Sequence, residues 1–239
     1  MVNIFDVDYT ILKKPTTWYF LREALSEKVI RYSQIRRLPI EWIFYRLGLP
    51  NFDFIEQAVR HIAGIEKKTL ETLADTCFER KMKAGIFCEA IRLIEEMKKR
   101  GEKVFFATSS FGIIIKPLEK FLKVDGSISS VLEFSDEKTT GRIVGSSLFG
   151  PKKKDTVEAW LKENRIDPGD VRFYSDSYTD LPLLNYSGEA IAVNPDRFLK
   201  REAKKRGWKI LRFDKTLNNK GQRFHQHVSF GKAQLKELK

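Results

Sequence analysis

The chain opens with Val2-Asn-Ile-Phe-Asp-Val-Asp-Tyr-Thr10, a short apolar run that stops at two aspartates. Three later segments also gather polar side chains at the boundary of a predicted element: Thr108-Ser-Ser110, Lys152-Lys-Lys154 and Asp176-Ser-Tyr-Thr-Asp180. In an open parallel sheet, ligands bind beyond the carboxyl ends of the strands. We therefore expect the four segments to meet at one edge of a sheet. Their carboxylates, hydroxyl and ammonium would suit a divalent cation and a phosphoryl group.

Helices and strands alternate over most of the chain, which predicts an α/β fold with a doubly wound parallel sheet. From about residue 16 to residue 83, however, apolar residues recur only at helical spacing. This pattern predicts a helical cap domain, residues 15–84, inserted after the first strand, with a break between helices at residues 48–51. The α/β core is then discontinuous, with residues 1–14 and 85–218, and residues 219–239 form a basic C-terminal tail.

The elements of the core are predicted from their apolar patterns. Residues 130–134 and 141–145 are expected to pair as a hairpin. Helices are expected at residues 89–100, 113–122, 153–164 and 181–186, and again before Gly207. The remaining strands are predicted at residues 2–7, 103–108, 171–175, 189–193 and 208–213.

The charge of the chain is concentrated near its C-terminus. The formal net charge is +12, and residues 200–239 contain 13 Lys and Arg against 3 Asp and Glu. A solvated tail is the simpler interpretation, and a weak contact with a polyanion is the functional one. Cys77 and Cys88 lie in helical sequence and are expected to be reduced, which indicates a cytoplasmic protein. The longest uncharged run, residues 104–115, is too short to span a bilayer, and the N-terminus does not resemble a signal peptide.

The two acids after the first strand suit phosphoryl transfer. An aspartate such as Asp6 can attack phosphorus and carry the phosphoryl group, while a second carboxylate, Asp8, can deliver a proton to the leaving alcohol. Asp176 and Asp180 supply the oxygen ligands that Mg²⁺ prefers. Capping of a helix by Asp176 or Ser177 would explain the first acid of that pair, but it does not require the second.

Hydroxyl and ammonium groups complete the set. Thr108 and Ser109 close a strand before a helix, where a hydroxyl and backbone N–H groups can seat a phosphate, although a plain helix cap is the simpler interpretation. Three lysines at a helix start oppose the helix dipole, so one of them is expected to face an anion.

Together the four segments resemble the haloacid dehalogenase superfamily of phosphohydrolases, and most closely its phosphoserine phosphatase branch, which has a helical cap. The resemblance covers residues 1 to about 213. It implies that Asp6 is the nucleophile, that Asp8 is the general acid and base, and that Thr108 and Ser109 bind phosphate. It also implies that Lys154, or otherwise Lys153, is the active-site lysine. Magnesium is implied as the cofactor, held by Asp6, the backbone carbonyl of Asp8, Asp176 and Asp180, with Asp180 supporting either the metal's waters or the lysine.

Two positions depart from the family pattern. Tyr9 stands where the family usually has glycine, so it must avoid a positive φ or accept strain. Pro15 stands near the place where phosphoserine phosphatases carry an acid for the substrate amine. Trp18, Tyr19, Arg60 and His61 are candidates for contact with the leaving group, and packing is the simpler interpretation of each.

The sequence therefore predicts a magnesium-dependent hydrolase of a small phosphomonoester. Phosphoserine phosphatase proper and a phosphotransferase remain alternatives. A dehalogenase is disfavoured, because Asp8 and the acid pair at 176 and 180 serve phosphate and metal. The alternative from another class is a non-catalytic module that binds nucleic acid or membrane through its basic C-terminal region.

Overall fold

The structure is a computed structural model that describes residues 1–30 and 53–218. Three sequence predictions lie outside these residues. They concern the helix break at residues 48–51, the expectation that some of the cap aromatics Trp42, Phe44 and Tyr45 face a larger or less polar leaving group, and the basic tail at residues 219–239.

Six strands form one sheet in the order β3-β2-β1-β6-β7-β8, and every neighbouring pair in it is parallel. Two further strands, β4 and β5, form an antiparallel hairpin at the side. The predicted doubly wound α/β fold and the predicted hairpin are thereby confirmed. The strands are β1 (Val2–Phe5), β2 (Lys103–Phe111), β3 (Gly126–Ser130), β4 (Leu132–Ser135), β5 (Lys138–Ile143), β6 (Val171–Ser175), β7 (Glu189–Val193) and β8 (Lys209–Leu211).

The helices of the described residues cover both faces of the sheet and build the insertion after β1. They are α1 (Thr16–Ser26), α2 (Asp53–Arg60), α3 (Lys67–Cys77), α4 (Cys88–Lys99), α5 (Gly112–Leu122), α6 (Pro151–Glu163), α7 (Leu181–Tyr186) and α8 (Arg197–Arg206). A π-helical turn, Phe78–Met82, follows α3 directly, and short 3-10 turns occur at Lys83–Gly85, Pro168–Asp170 and Tyr178–Asp180. No helix in the described ranges is long and apolar enough to cross a membrane.

Strand β1 lies at the centre of the sheet and is fully buried. Alternate side chains of a strand point to opposite faces, and Ile4 and Phe5 accordingly belong to two different hydrophobic clusters. The cluster around Phe5 includes α4, α5 and the helices of the insertion, whereas the cluster around Ile4 includes α6, α7 and α8. One face of the sheet therefore supports the helical insertion, and the division into cap and core at residues 15–84 stays a prediction.

Strand β3 was not predicted, and β2 runs three residues further than expected. The sequence of β3, Gly126-Ser-Ile-Ser-Ser130, has little β propensity, and the strand forms at the sheet edge by pairing with β2. Because β2 continues to Phe111, Thr108 and Ser109 lie inside this strand. Helix α5 begins only at Gly112. The sequence predicted that Thr108 lies at the start of a helix, where backbone N–H groups could bind phosphate. Thr108 instead lies in strand β2.

Candidate active site

Asp6 follows the central strand at its carboxyl end. Its backbone N–H donates to the carbonyl oxygen of Tyr174 at 2.8 Å, which extends the pairing of β1 with β6 by one residue. Phe5 is level with Phe106 of β2 and with Tyr174 of β6, so the residues that follow in β2 and β6 flank Asp6. The parallel register thus brings Thr108 and Asp176 to the same edge as Asp6, as the sequence predicted.

Lys153 is the lysine that reaches this edge. Its Nζ lies 2.9 Å from Asp6 Oδ1 and 2.9 Å from Asp180 Oδ2, and all three side chains are buried. Lys154 instead pairs with Glu158 on the outer side of α6, and its side chain is 27% exposed against 5% for Lys153. The structure therefore contradicts the preference for Lys154 as the lysine at this edge and favours the alternative, Lys153, while the catalytic and phosphate-binding role of the lysine stays a prediction.

The phase of α6 explains this correction. Lys153, Val157 and Leu161 recur every four residues, and all three are buried against the sheet. Successive residues of a helix are rotated by about 100° about its axis. The side chain of Lys154 therefore lies outside the buried stripe that Lys153, Val157 and Leu161 form. The apolar residues four and eight positions later are the sequence signal that could have identified Lys153.

Asp180 holds the lysine. Its Oδ2 accepts from Lys153 Nζ at 2.9 Å and from Ser175 Oγ at 2.7 Å, and the residue is only 2% exposed. Both donors bind the same carboxylate oxygen, so Oδ2 is occupied by Lys153 and Ser175. Of the two roles that the sequence left open for Asp180, the geometry favours support of the lysine over contact with a metal.

The acids at this edge repel one another. Burial raises the pKa of Asp6 to about 7, although the Lys153 ammonium opposes the shift, and Asp180 and Asp8 add to it. Burial, together with repulsion from Asp6 and Asp180, raises the pKa of Asp176 well above its usual range. Burial lowers the pKa of Lys153, but Asp180 and Asp6 outweigh this and raise it above its usual range. One ammonium is thus surrounded by several buried carboxylates.

The donor set fits a hydrated Mg²⁺. Magnesium keeps several waters and needs only one or two carboxylates, which Asp6 and Asp176 can supply together with the backbone carbonyl of Asp8. Across residues 1–30 and 53–218, no three His, Cys, Asp or Glu side chains come together as a group that could hold a metal ion by themselves. Water and substrate oxygens would therefore have to provide the remaining ligands.

Asp8 lies in the turn after β1 and contacts Thr16 and Ser110, neither of which the sequence linked to Asp8. Its Oδ1 accepts from the backbone N–H of Thr16 at 2.9 Å, and its Oδ2 lies 3.5 Å from Ser110 Oγ. The hydroxyls of Thr16 and Ser110 also form a short hydrogen bond with each other. Burial raises the pKa of Asp8, and the hydrogen bonds from Thr16 oppose that shift. Thr16 and Ser110 are 94 residues apart, so no local sequence pattern predicts that they pair.

Thr108 and Ser109 lie in the second half of β2, at the edge of the sheet that carries Asp6. Thr108 is fully buried, and its Oγ1 accepts from the backbone N–H of Ser110 at 3.1 Å. The carbonyl oxygen of Ser109 accepts from Ser130 Oγ at 2.8 Å, which ties this strand end to β3. The hydroxyl of Thr108 thus accepts one bond and keeps its own proton to donate.

Tyr9 adopts φ 60°, the left-handed conformation that glycine takes without strain. The turn is closed by the backbone N–H groups of Ile11 and Leu12, which both donate to the carbonyl oxygen of Val7. Strain of this kind costs on the order of 1–3 kcal/mol and persists where the surrounding structure enforces it. The turn therefore has the glycine-like geometry although the residue is tyrosine.

The geometry and the order of these residues agree with the comparison to protein families. The sequence pattern of the haloacid dehalogenase-like hydrolases matches residues 4–185. The chain belongs to this family. The prediction of an enzyme of the hydrolase type, drawn from the four segments, is confirmed.

Several curated proteins are similar over most of this chain. A histidinol-phosphatase of Neisseria meningitidis is 29% identical over 88% of the chain and 97% of its own length. A phosphoserine phosphatase of Mycobacterium tuberculosis is 27% identical over 87% of the chain and 70% of its own length. Relatives of this haloacid dehalogenase-like chain thus include phosphatases named for different substrates.

Solved structures share the fold. A protein of unknown function from Bordetella pertussis superimposes with a TM-score of 0.78 at 24% identity, covering 88% of this chain and 97% of that one. A substrate-bound phosphoserine phosphatase superimposes with a TM-score of 0.64 at 20% identity, covering 88% of this chain and 91% of that one. The likeness places the sheet and its helices in the haloacid dehalogenase-like fold.

Proposed function

We propose that this protein is a magnesium-dependent phosphomonoester hydrolase that acts through an aspartyl-phosphate intermediate on a small organic phosphate. The observation that carries the proposal is the position of Asp6. It is a buried carboxylate at the carboxyl end of the central strand, in contact with Lys153, with Thr108 on one flanking strand and Asp176 directly after the other. Relatives named as phosphatases for phosphoserine and for histidinol phosphate support this class of reaction.

In the first step, a carboxylate oxygen of Asp6 forms a bond to phosphorus, and the bond from phosphorus to the leaving oxygen breaks. Asp8, in its protonated form, gives its proton to that oxygen, so the product leaves as a neutral alcohol. Thr108 and Lys153 bind the phosphoryl oxygens, on which negative charge is concentrated during transfer. Asp180 and Ser175 keep the Lys153 ammonium in place.

In the second step, a water molecule attacks the phosphorus of the aspartyl phosphate. Asp8, now a carboxylate, takes the proton of that water, and the bond from phosphorus to Asp6 breaks. Inorganic phosphate leaves, and both acids return to their starting protonation states. Bound Mg²⁺ would neutralise phosphoryl charge and Asp6–Asp176 repulsion. The helices of the insertion share a hydrophobic cluster with the sheet, which suits a cap that limits the access of water.

A panel of phosphomonoesters with Mg²⁺, run beside Asp6→Asn, tests the proposal. The wild type should release phosphate from at least one ester, and Asp6→Asn should release none above background. Asp136→Asn is the matched control, because Asp136 lies in the exposed turn between β4 and β5 and should not affect turnover. Failure of the wild type on every ester, or near wild-type turnover by Asp6→Asn, would contradict the proposal.

The two cysteines, Cys77 and Cys88, are free, which supports a cytoplasmic setting.

A second proposal concerns the basic C-terminal part of the chain. On α8, side chains at an angle of about 100° per residue place four exposed cations on the arc opposite the buried Leu199 and Ala203. These cations are Arg197, Arg201, Lys204 and Lys205. Because the apolar side of α8 is already packed in the core, this face offers charge without a surface for membrane insertion. We infer a weak, sequence-independent contact with the phosphate backbone of a nucleic acid.

This contact is tested by the salt dependence of binding to a single-stranded oligonucleotide. Replacing Arg201 and Lys204 by Gln should weaken binding and reduce the slope of log K against log salt by roughly 1–2 units. Lys120→Gln with Lys123→Gln, on α5 and the turn after it, is the matched control for lost charge. An unchanged slope, or binding only to vesicles of anionic lipid, would overturn the inference.

A further inference from the structure

The carboxylate of Asp8 accepts hydrogen bonds from two residues that are far apart in the sequence. The first residue of α1, Thr16, donates its backbone N–H to Oδ1, and Ser110, near the end of β2, lies within hydrogen-bond distance of Oδ2. One contact therefore comes from the insertion and the other from the core sheet. Both oxygens of the carboxylate are engaged, which fixes its rotation about the bond from Cβ to Cγ.

The two hydroxyls that surround Asp8 form a chain with one direction. Each hydroxyl has one proton to donate. If Ser110 gives its proton to Asp8 Oδ2, the proton in the bond between Ser110 and Thr16 has to come from Thr16. The chain then runs from Thr16 through Ser110 to Asp8. Thr16 is 0% exposed and Ser110 is 6% exposed, so water does not compete for these bonds.

The backbone contact has a structural reason. The first N–H groups of a helix have no partner within the helix, and no side chain of its own N-cap residue, Pro15, closes the start of α1. Asp8, eight residues earlier, accepts the N–H of Thr16 instead. The same carboxylate thus stabilises the start of the insertion and, under the proposed function, handles the proton.

We propose that Thr16 and Ser110 are positioning residues for Asp8, which together orient its carboxylate toward the leaving-group oxygen of a bound phosphomonoester. The inference rests on the proposed function. It assigns the pair no contact with substrate, and the effect of the pair passes through Asp8. A loss of orientation therefore slows most the steps that need a well-placed proton donor.

Thr16→Val tests the hydroxyl alone, because valine keeps the β-branched shape and the backbone N–H that Asp8 accepts. General acid catalysis contributes about 10²–10⁴-fold, so a misplaced acid should lower kcat/KM by about tenfold or more for alkyl phosphates. Aryl phosphates, whose leaving groups need little protonation, should lose less than about threefold in kcat/KM. This ratio covers the steps up to transfer of the phosphoryl group to Asp6 and excludes the attack of water, in which Asp8 acts as base for every ester. Ser110→Ala should act in the same direction, and Thr16→Ser should restore the wild-type pattern.

Thr17→Val is the matched control, since Thr17 is the exposed neighbour of Thr16 on α1. The double variant Thr16→Val with Ser110→Ala should lose less than the product of the single losses, because both changes break one chain. Equal losses for alkyl and aryl esters, or a fall in Tm without a change in leaving-group dependence, would show a merely structural pair and overturn the inference. If the wild type hydrolyses no ester at all, the proposed function has failed and the inference fails with it.

Discussion

At the scale of single residues, the site depends on which side of α6 a lysine occupies. Lys153 and Lys154 are adjacent, yet one is buried between Asp6 and Asp180 and the other pairs with Glu158 near the surface. Lys153 is held by two carboxylates, which prevents the ammonium from turning away before a phosphoryl group arrives. The same pair of neighbours gives a well-matched mutational contrast.

Lys153→Met should abolish most activity, by about 10²–10³-fold, because it removes a fixed positive charge from the phosphoryl site. Lys154→Met should stay within about threefold of the wild type, since exposed ion pairs of this kind contribute little. Rates on one aryl phosphate measure both variants. Because Lys153→Met leaves two buried acids without their partner, Lys153→Arg provides a folded comparison that keeps the charge but changes its geometry. Equal losses for positions 153 and 154 would contradict this assignment.

Asp176 and Asp180 should separate into two roles. Asp176→Asn deletes a metal ligand under the proposed function, so it should raise the Mg²⁺ concentration needed for half-maximal rate and weaken Mn²⁺ binding in calorimetry. Asp180→Asn should lower kcat through its effect on Lys153 and leave the metal requirement close to that of the wild type. Chelation by EDTA should remove the wild-type activity, and added Mg²⁺ should restore it. Activity that withstands EDTA would contradict the metal requirement.

At the scale of elements, the insertion holds a buried carboxylate of its own. Glu23 of α1 is 0% exposed, and it forms ion pairs with Arg80 and Lys81 of the π-helical turn, Phe78–Met82. Burial acts to raise the pKa of Glu23, but the hydrogen bonds and charges of Lys81 and Arg80 outweigh it, and the pKa is lowered. This contact joins α1, whose first residue Thr16 binds Asp8, to the segment that returns the chain to the core.

Glu23→Gln should destabilise the protein by about 1–3 kcal/mol at neutral pH, because two cations lose their buried partner. The pKa of Glu23 is lower in the folded state than in the unfolded state, so its stabilisation is present above the unfolded value. It is lost as the pH falls through the folded value. Urea unfolding at pH 7 and at pH 3–4 should show the gap between wild type and variant narrowing toward acid. Glu27→Gln, which removes an exposed partner of Arg80, should have a much smaller effect.

At the scale of the whole molecule, two cations lie over an aromatic ring near the start of α1. Lys14 Nζ lies 3.7 Å from the ring centroid of Trp18, and Arg22 Cζ lies 4.6 Å from the same centroid. Tyr19 is buried and packs in the core, whereas Trp18 is 36% exposed. Arg60 and His61 are exposed at the end of α2, where the backbone of Arg60 approaches Gly141 of β5. Of these four candidates, Tyr19 belongs to the core packing, and contact of Trp18, Arg60 or His61 with a leaving group stays a prediction.

Phosphoserine is expected to be a poor substrate relative to some other organic phosphate. Its ammonium would need a carboxylate when enclosed, yet Pro15 cannot provide one, and Lys13 and Lys14 beside it would repel the amine. The measurement is the ratio of kcat/KM values for phosphoserine and a panel of other esters, histidinol phosphate among them. A preference for phosphoserine of about a hundredfold over every other ester, roughly 2.7 kcal/mol, would show that another residue pairs the amine.

The sequence by itself determined the order of the elements and the edge of the sheet that carries the site. Apolar runs that end in Asp6, Thr108 and Asp176 are local patterns. Parallel pairing brings the carboxyl ends of these strands to one edge of the sheet, independently of the length of the connecting segments. The hydrophobic periodicity of the insertion was likewise visible along the chain, because burial of one helix face leaves its period in the sequence.

Only the tertiary structure decided the contacts that need a rotation or a distant partner. The choice of Lys153 over Lys154 depended on how α6 turns its buried stripe to the sheet. The edge strand β3 forms because β2 offers it backbone partners, although its own residues favour no strand. The bond between Thr16 and Ser110 joins residues from the insertion and the core. A hydrogen bond between residues so far apart produces no periodic pattern in the sequence. It forms only when the packing of the insertion against the sheet brings the two hydroxyls together.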